Sequence, residues 1–338
     1  MLILPPRRTI QWEPMTDKMP GPTHRVRGEV RAVVLDLNRK PVFDTGWTPN
    51  LITDYGMYSL GCGGGIGGYM RLGTGTATPT VSDTALQTPT TALSEGAFSR
   101  ISPQTPGAPD YQFGLQKKGR WDPGSFSGET ISEMGLFASS ANADANTNVQ
   151  VRALLSPYVS VNADQYLDVY HRLWTYPILT EMPVPLSING ENFTVTTRAY
   201  YVSAGYYAES PYEKHTISGS SAGTMGHPGP GLEILWNPLT NSQPFSNSLG
   251  GDNTWPVGWN QTSVGGSSPT WWSEREIYLQ LDHANFTYGI GGMTSIVGFH
   301  PMSGYAYKFQ SLDTGLGVPK DETMRFRFRV RTNVERYP

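Results

Sequence analysis

The residues with the best spacing for chemistry are Trp271-Trp-Ser-Glu-Arg-Glu-Ile-Tyr. If this segment is a strand, its period of two puts Glu274 and Glu276 on one face, beside the indoles of Trp271 and Trp272. A glycan-cleaving site needs two carboxylates about 5 to 10 Å apart beside an aromatic platform. Two carboxylates on one strand are, however, the ordinary pattern of a solvated face, and the indoles could stack on a sugar without cleaving it or pack loops. The segment is read as loop and strand packing, with glycan cleavage as the rival reading.

Other chemistry has less support. The histidines His24, His171, His215, His227, His283 and His300 are scattered. No H-x-H or H-x-x-x-H pair brings two imidazoles to one metal. In a three-fold assembly one histidine per chain can hold an axial ion, and His227, inside the glycine-rich 223–231 loop, is the candidate of that kind. Gly63, Gly65 and Gly68 match G-x-G-x-x-G in spacing. A dinucleotide site needs a strand before that motif and a helix after it, and here the order is reversed, so the glycines read as a loop. The sequons at Asn192, Asn260 and Asn285 are at chance frequency. No catalytic residue, cofactor site or metal site is assigned, and the expectation is a protein that is not an enzyme.

Composition agrees with a non-catalytic, turn-rich chain. Among 338 residues there are 38 Gly and 27 Pro, and charged residues make up 16%, against about 25% in ordinary domains. Aromatics reach 12%, which supplies the rigid apolar groups a disordered chain lacks. A net charge of −3 gives no field that would condense on phosphate, so nucleic acid is not an expected partner. Cys62 is the single cysteine, which excludes an internal disulfide and a thiolate cluster and suits folding in a cytoplasm. No run approaches a membrane span.

The elements that must position these residues read as β-structure. Residues 1–25 contain five prolines and no apolar period, an extended arm expected to be pinned by a neighbouring chain. Val26 to Leu37 reads as a strand closed by the turn Asn38-Arg-Lys-Pro. Asn50 to Leu60 reads as the one short helix, capped by Thr53 or Asn50. Further strands are expected at Tyr69–Gly73, Tyr111–Leu115, Val149–Leu155, Tyr166–Trp174 and Asn192–Ala204, with an ordered loop at Thr74–Asp83. The clearest is Met324-Arg-Phe-Arg-Phe-Arg-Val-Arg, apolar on one face and arginine on the other. Residues 210–270 are read as short strands and packed loops, because a structureless loop that long is rare in a compact domain.

The fold class expected is all-β: an arm (1–25), a β-sandwich (26–180) and a second β-sandwich with long aromatic loops (181–338). The halves also end alike. Ser132-Glu-Met-Gly-Leu-Phe and Ser295-Ile-Val-Gly-Phe-His are each followed by a strand, an acidic residue and a last alternating strand, so the second half is expected either to duplicate the first or to share its pattern by chance.

Three motifs carry a family likeness. Asn50-Leu-Ile-Thr-Asp-Tyr-Gly, then Met70-Arg-Leu-Gly-Thr-Gly-Thr-Ala-Thr-Pro-Thr-Val-Ser-Asp-Thr-Ala-Leu, then Thr130-Ile-Ser-Glu-Met-Gly-Leu-Phe resemble, in that order, the particle-attachment regions of tailed-bacteriophage tail fibre and tail tip proteins. The likeness covers residues 26–175. It implies a virion structural protein, in a tail, tail fibre or baseplate, that is assembled in the host cytoplasm as a trimer or ring. Its partners would be other virion proteins and, on the outside, a host surface glycan. Two alternatives belong beside it: a capsid decoration or head fibre protein, and, from another class, a tailspike glycan depolymerase.

Overall fold

Alternation makes the first strand. Val26, Val30 and Ala32 are buried while Arg25 and Arg27 are exposed, as a strand covered on one face requires. The computed structural model describes residues 19–61, 65–95, 97–101, 113–126, 128–177, 182–188, 191–200, 233–235, 258–279, 295–300, 303–312 and 326–337. The first half contains β1 (Met19–Leu35), β2 (Pro41–Asp44), β3 (Thr48–Ile52), α1 (Asp54–Gly61), β4 (Tyr69–Gly73), β5 (Pro89–Ser94), β6 (Ala97–Ile101), β7 (Phe113–Trp121), β8 (Thr130–Phe137), α2 (Ser140–Ala145), β9 (Val151–Ser160) and β10 (Tyr166–Pro177). The second contains β11 (Met182–Ile188), β12 (Glu191–Tyr200), β13 (Glu233–Leu235), β14 (Gly258–Ser267), β15 (Thr270–Leu279), β16 (Ser295–His300), β17 (Ser303–Ser311) and β18 (Phe326–Arg336). The chain is all-β.

β1 organises the larger, 13-stranded sheet. One edge pairs along its length with β10, which continues to β7 and β6. The other edge is shared in turn by β18, β3 and β2. β3 also pairs with β9, and from there the sheet runs through β8 and β4 to β5. The sheet thus folds over at β3. Val30, Ala32, Leu115, Trp121, Leu167 and Val169 from one layer share a single core with Met70, Leu72, Met134, Leu136, Val151 and Ala153 from the other. Burial of these layers against each other is what makes the sandwich stable.

Several elements differ from the sequence reading. The expected helix starts later, because residues 48–52 are strand; Thr53 caps α1, its Oγ1 accepting from Gly56 N at 3.1 Å. The single expected helix is joined by α2, capped by Ser139 Oγ accepting from Asn142 N at 3.2 Å and closed by Asn146 in the left-handed region. Small residues without an apolar period hid it. Of the strand expected at 111–115, residues 111–112 lie outside the described residues and the rest belongs to β7, which runs on to Trp121; the buried Lys117, standing where the apolar alternation would continue, hid that extension. Residues 19–25, expected as arm, belong to β1 and pair with β18; residues 1–18 lie outside the described residues.

A second, five-stranded sheet has the order β11-β12-β17-β16-β13. The first half has the same sequence of antiparallel neighbours in β1-β3-β9-β8-β4. The three-stranded units also correspond, β6-β7-β10 with β14-β15-β18. Gly135 faces Arg152 in one half, and Gly298 faces Tyr305 in the other. Sheet membership does not follow residue 181, however: β14, β15 and β18 join the larger sheet through β1, and Trp271 and Val334 lie in the first-half core.

Candidate functional site

The three motifs, separated by up to about eighty positions, meet at one buried polar cluster around Glu133 and Arg152. Glu133 stands on β8 and is fully buried. Its Oε1 accepts from the backbone N–H of Thr88 at 2.8 Å and of Gly75 at 3.2 Å; its Oε2 accepts from Gln87 N at 3.2 Å. Arg152 of β9 donates to the same Oε2 through Nε at 3.1 Å and Nη2 at 3.0 Å. Its Nη1 reaches Asp83 Oδ2 at 2.6 Å, and Nη2 also reaches Ala77 O at 3.1 Å. Asp83 in turn accepts from Thr80 N and Thr80 Oγ1.

These contacts fix the loop between β4 and β5. Its backbone donors end on a carboxylate, so a segment without secondary structure is held rigidly. The glycines in Leu72-Gly-Thr-Gly are explained by the same carboxylate. A Cβ at Gly73 would lie 2.7 Å from Glu133 Oε1, and one at Gly75 2.4 Å from it. The first motif joins from the other side: Asp54 N donates to Val81 O at 2.7 Å, and Thr53 Oγ1 donates to Val149 O at 2.6 Å. Gly56 is required because a Cβ there would lie 2.1 Å from Gln150 O.

Burial opposes the charge on Asp83, but hydrogen bonds from Thr80 and Arg152 outweigh it and hold the carboxyl below the usual carboxylate range. Glu133 receives five donors, which exhausts the roughly four lone-pair sites of a carboxylate. A group so engaged positions backbone.

The residues that the sequence offered for chemistry fall elsewhere. Glu274 is buried and pairs with Arg331 at 3.2 Å. Trp271 is in the core, with the Arg336 guanidinium 4.7 Å from its ring centroid, and the Arg331 guanidinium lies 4.0 Å from that of Trp272. Both indoles are therefore engaged in packing and cation–π contact. The side chain of Glu276 and all of His215, His227 and His283 lie outside the described residues, as do Gly63 and the sequon at Asn285. Gly65 and Gly68 follow α1 and precede β4, the order read from the sequence. Gln150 ties that loop down, donating to Gly65 O at 3.0 Å and accepting from Gly67 N at 2.6 Å.

His24 and His171 are fully buried, and burial lowers each to about 3; for His171 the neighbouring Lys117 adds to the effect. Lys117 itself lies inside the sheet, donating to Gly68 O and Glu95 O, and burial lowers it to about 8. The sequence reading missed Glu133, Arg152 and Lys117 as buried charges. Glu133 sits in a run of buried residues on β8, and an acid inside such a run was the available signal.

Among the described residues no group of three or more His, Cys, Asp or Glu could hold a metal ion, and no helix is long and apolar enough to cross a membrane. Compared with protein-family models, with curated proteins and with solved structures, the chain matches none.

Proposed function

We propose that the chain is a structural component of a tailed-bacteriophage virion. It would be a tail, tail fibre or baseplate protein that works by protein–protein assembly, without catalysis or cofactor. One observation carries this reading: the motif residues behind the family likeness form a single fold-determining unit. Asp54, Gly73, Gly75, Asp83 and Glu133 each have a role in holding the 74–88 loop against β8 and β9, and Thr53 and Gly56 seat α1 against residues 149–150 beside it. A module whose signature residues fix a rigid loop is suited to presenting a surface to neighbours. The low charge and all-β build agree with this, since a sheet protein in an assembly is covered by its neighbours.

Antibody labelling of purified particles tests the reading. Label on the tail supports it. Label spread over the head would support a capsid decoration or head fibre protein instead. Release of oligosaccharide from host polysaccharide by the purified chain, abolished by Glu274→Gln, would overturn it in favour of a depolymerase.

A further inference from the structure

The two halves share a strand order but not the buried charges. Aligned on Gly135 and Gly298, the second half has Ile296 at the place of Glu133, Tyr305 at that of Arg152 and Ile234 at that of Gly73. The carboxylate, its guanidinium partner and the glycine that makes room for it are thus replaced together. The sheet forms in either case, and a buried ion pair adds little stability over apolar residues of the same size. What the charges add in the first half is a fixed loop. Two amides extend the clamp. Gln87 Oε1 accepts from Thr76 N at 2.9 Å and Ala77 N at 2.8 Å, and Asn146 accepts from Leu86 N at 2.9 Å and donates to Leu86 O at 2.8 Å.

The outer side of that loop carries no free charge. Asp83 is the only charged residue in 74–88, and its carboxylate is turned to Arg152. Thr74, Thr76, Thr78, Thr80, Val81 and Ser82 are exposed. Val81 is 39% exposed, and its carbonyl accepts from Asp54 N at the start of α1. Tyr58, one turn further along the same side of that helix, is 43% exposed. Short β-branched side chains on a fixed backbone have little freedom left to lose, so ordering that would oppose association is completed on folding. A surface without charge offers nothing to phosphate or anionic lipid. It suits a protein surface that is uncharged in turn.

We infer that the clamped 74–84 loop, with Tyr58 beside it, is the surface by which the first half docks on an uncharged face of a different protein of the particle. The threonine hydroxyls meet backbone and amide groups of that partner, and Val81 and Tyr58 supply the apolar centre of the contact. The contact is made once per chain, because the second half lacks the residues of the clamp. This rests on the reading of the chain as a particle component and gives that component its point of attachment.

Supplying the full chain to particles assembled without it, and measuring the amount incorporated by quantitative mass spectrometry, tests the contact. Thr78→Glu with Val81→Glu changes two exposed side chains, so it should keep the thermal melt and lower incorporation about tenfold or more. Glu133→Ile with Arg152→Tyr, which copies the second half and frees the loop, should lower it as well. Leu37→Glu with Val42→Glu, exposed on the β1–β2 turn, is the control and should leave incorporation unchanged. Wild-type incorporation of the Thr78–Val81 pair, or an equal loss from the Leu37–Val42 pair, overturns the contact and leaves the particle assignment standing. Self-association of the purified chain that Val81→Glu abolishes in sedimentation velocity would give the surface to a second copy and overturn the proposed partner. Absence of the wild-type chain from particles overturns the assignment itself, and the contact with it.

Discussion

Arg152 Nη2 lies 3.0 Å from Glu133 Oε2, and neither side chain is more than 5% exposed. Each is on a different strand of one sheet, so the pair links β8 to β9 while their remaining groups hold the β4–β5 loop. Buried ion pairs give little net stability over apolar residues of the same size, but breaking one leaves a charge unpaired. The second half illustrates the alternative: at the register positions of Glu133 and Arg152 it has Ile296 and Tyr305.

Glu133→Gln should therefore lower stability by about 3–5 kcal/mol, read by urea unfolding. The double change Glu133→Ile with Arg152→Tyr should recover much of the loss but free the loop. Hydrogen exchange at the Gly75, Gln87 and Thr88 amides would then be faster. A loss below about 1 kcal/mol for the single variant, the level of a surface pair, would contradict the clamp.

Gly75→Ala should cost about 2–3 kcal/mol, because its Cβ would meet Glu133 Oε1 at 2.4 Å. Gly46→Ala is the control: nothing lies within 4 Å, and only its φ of +69° is strained, at about 1–2 kcal/mol. Equal losses in thermal melts would show that the carboxylate yields.

Acid should destabilise the fold well above the carboxylate range. His24 and His171 stand at about 3 in the folded chain against an ordinary 6.5. Between those values the unfolded chain binds more protons, so stability rises with pH there. The contribution is full above pH 6.5 and is lost progressively as pH falls toward 3. His171→Leu should flatten that slope and leave neutral stability equal or higher, since the buried Nε2 has no hydrogen-bond partner among the described residues. An unchanged slope in urea titrations at stepped pH would count against it.

Much of this was legible in the sequence and some was not. Alternation located β1, β10 and β18. Local pattern cannot specify which strands become neighbours, so the return of β18 to β1 was hidden. Trp271 could not be recognised as core for the same reason: its burial depends on α1 and β18, far away in sequence. Glu133 and Arg152 looked like ordinary strand charges because each is buried by what folds over it.

Trp271→Ala should cost about 3–5 kcal/mol, with protease cleavage appearing first in β14 and β15. Its Cβ and backbone lie against Gly61 of α1, and its indole is in the core cluster and stacked by Arg336, so it joins those strands to the first-half core. Cleavage spread evenly over the chain would contradict that role.

The central claim is that this chain belongs to a virus particle, and the direct measurement is its copy number in gradient-purified particles by quantitative mass spectrometry. A fixed, low ratio to the major capsid protein is expected. That ratio should be lost when residues 1–18 are deleted from an otherwise folded chain. Absence of the chain from purified particles would contradict it.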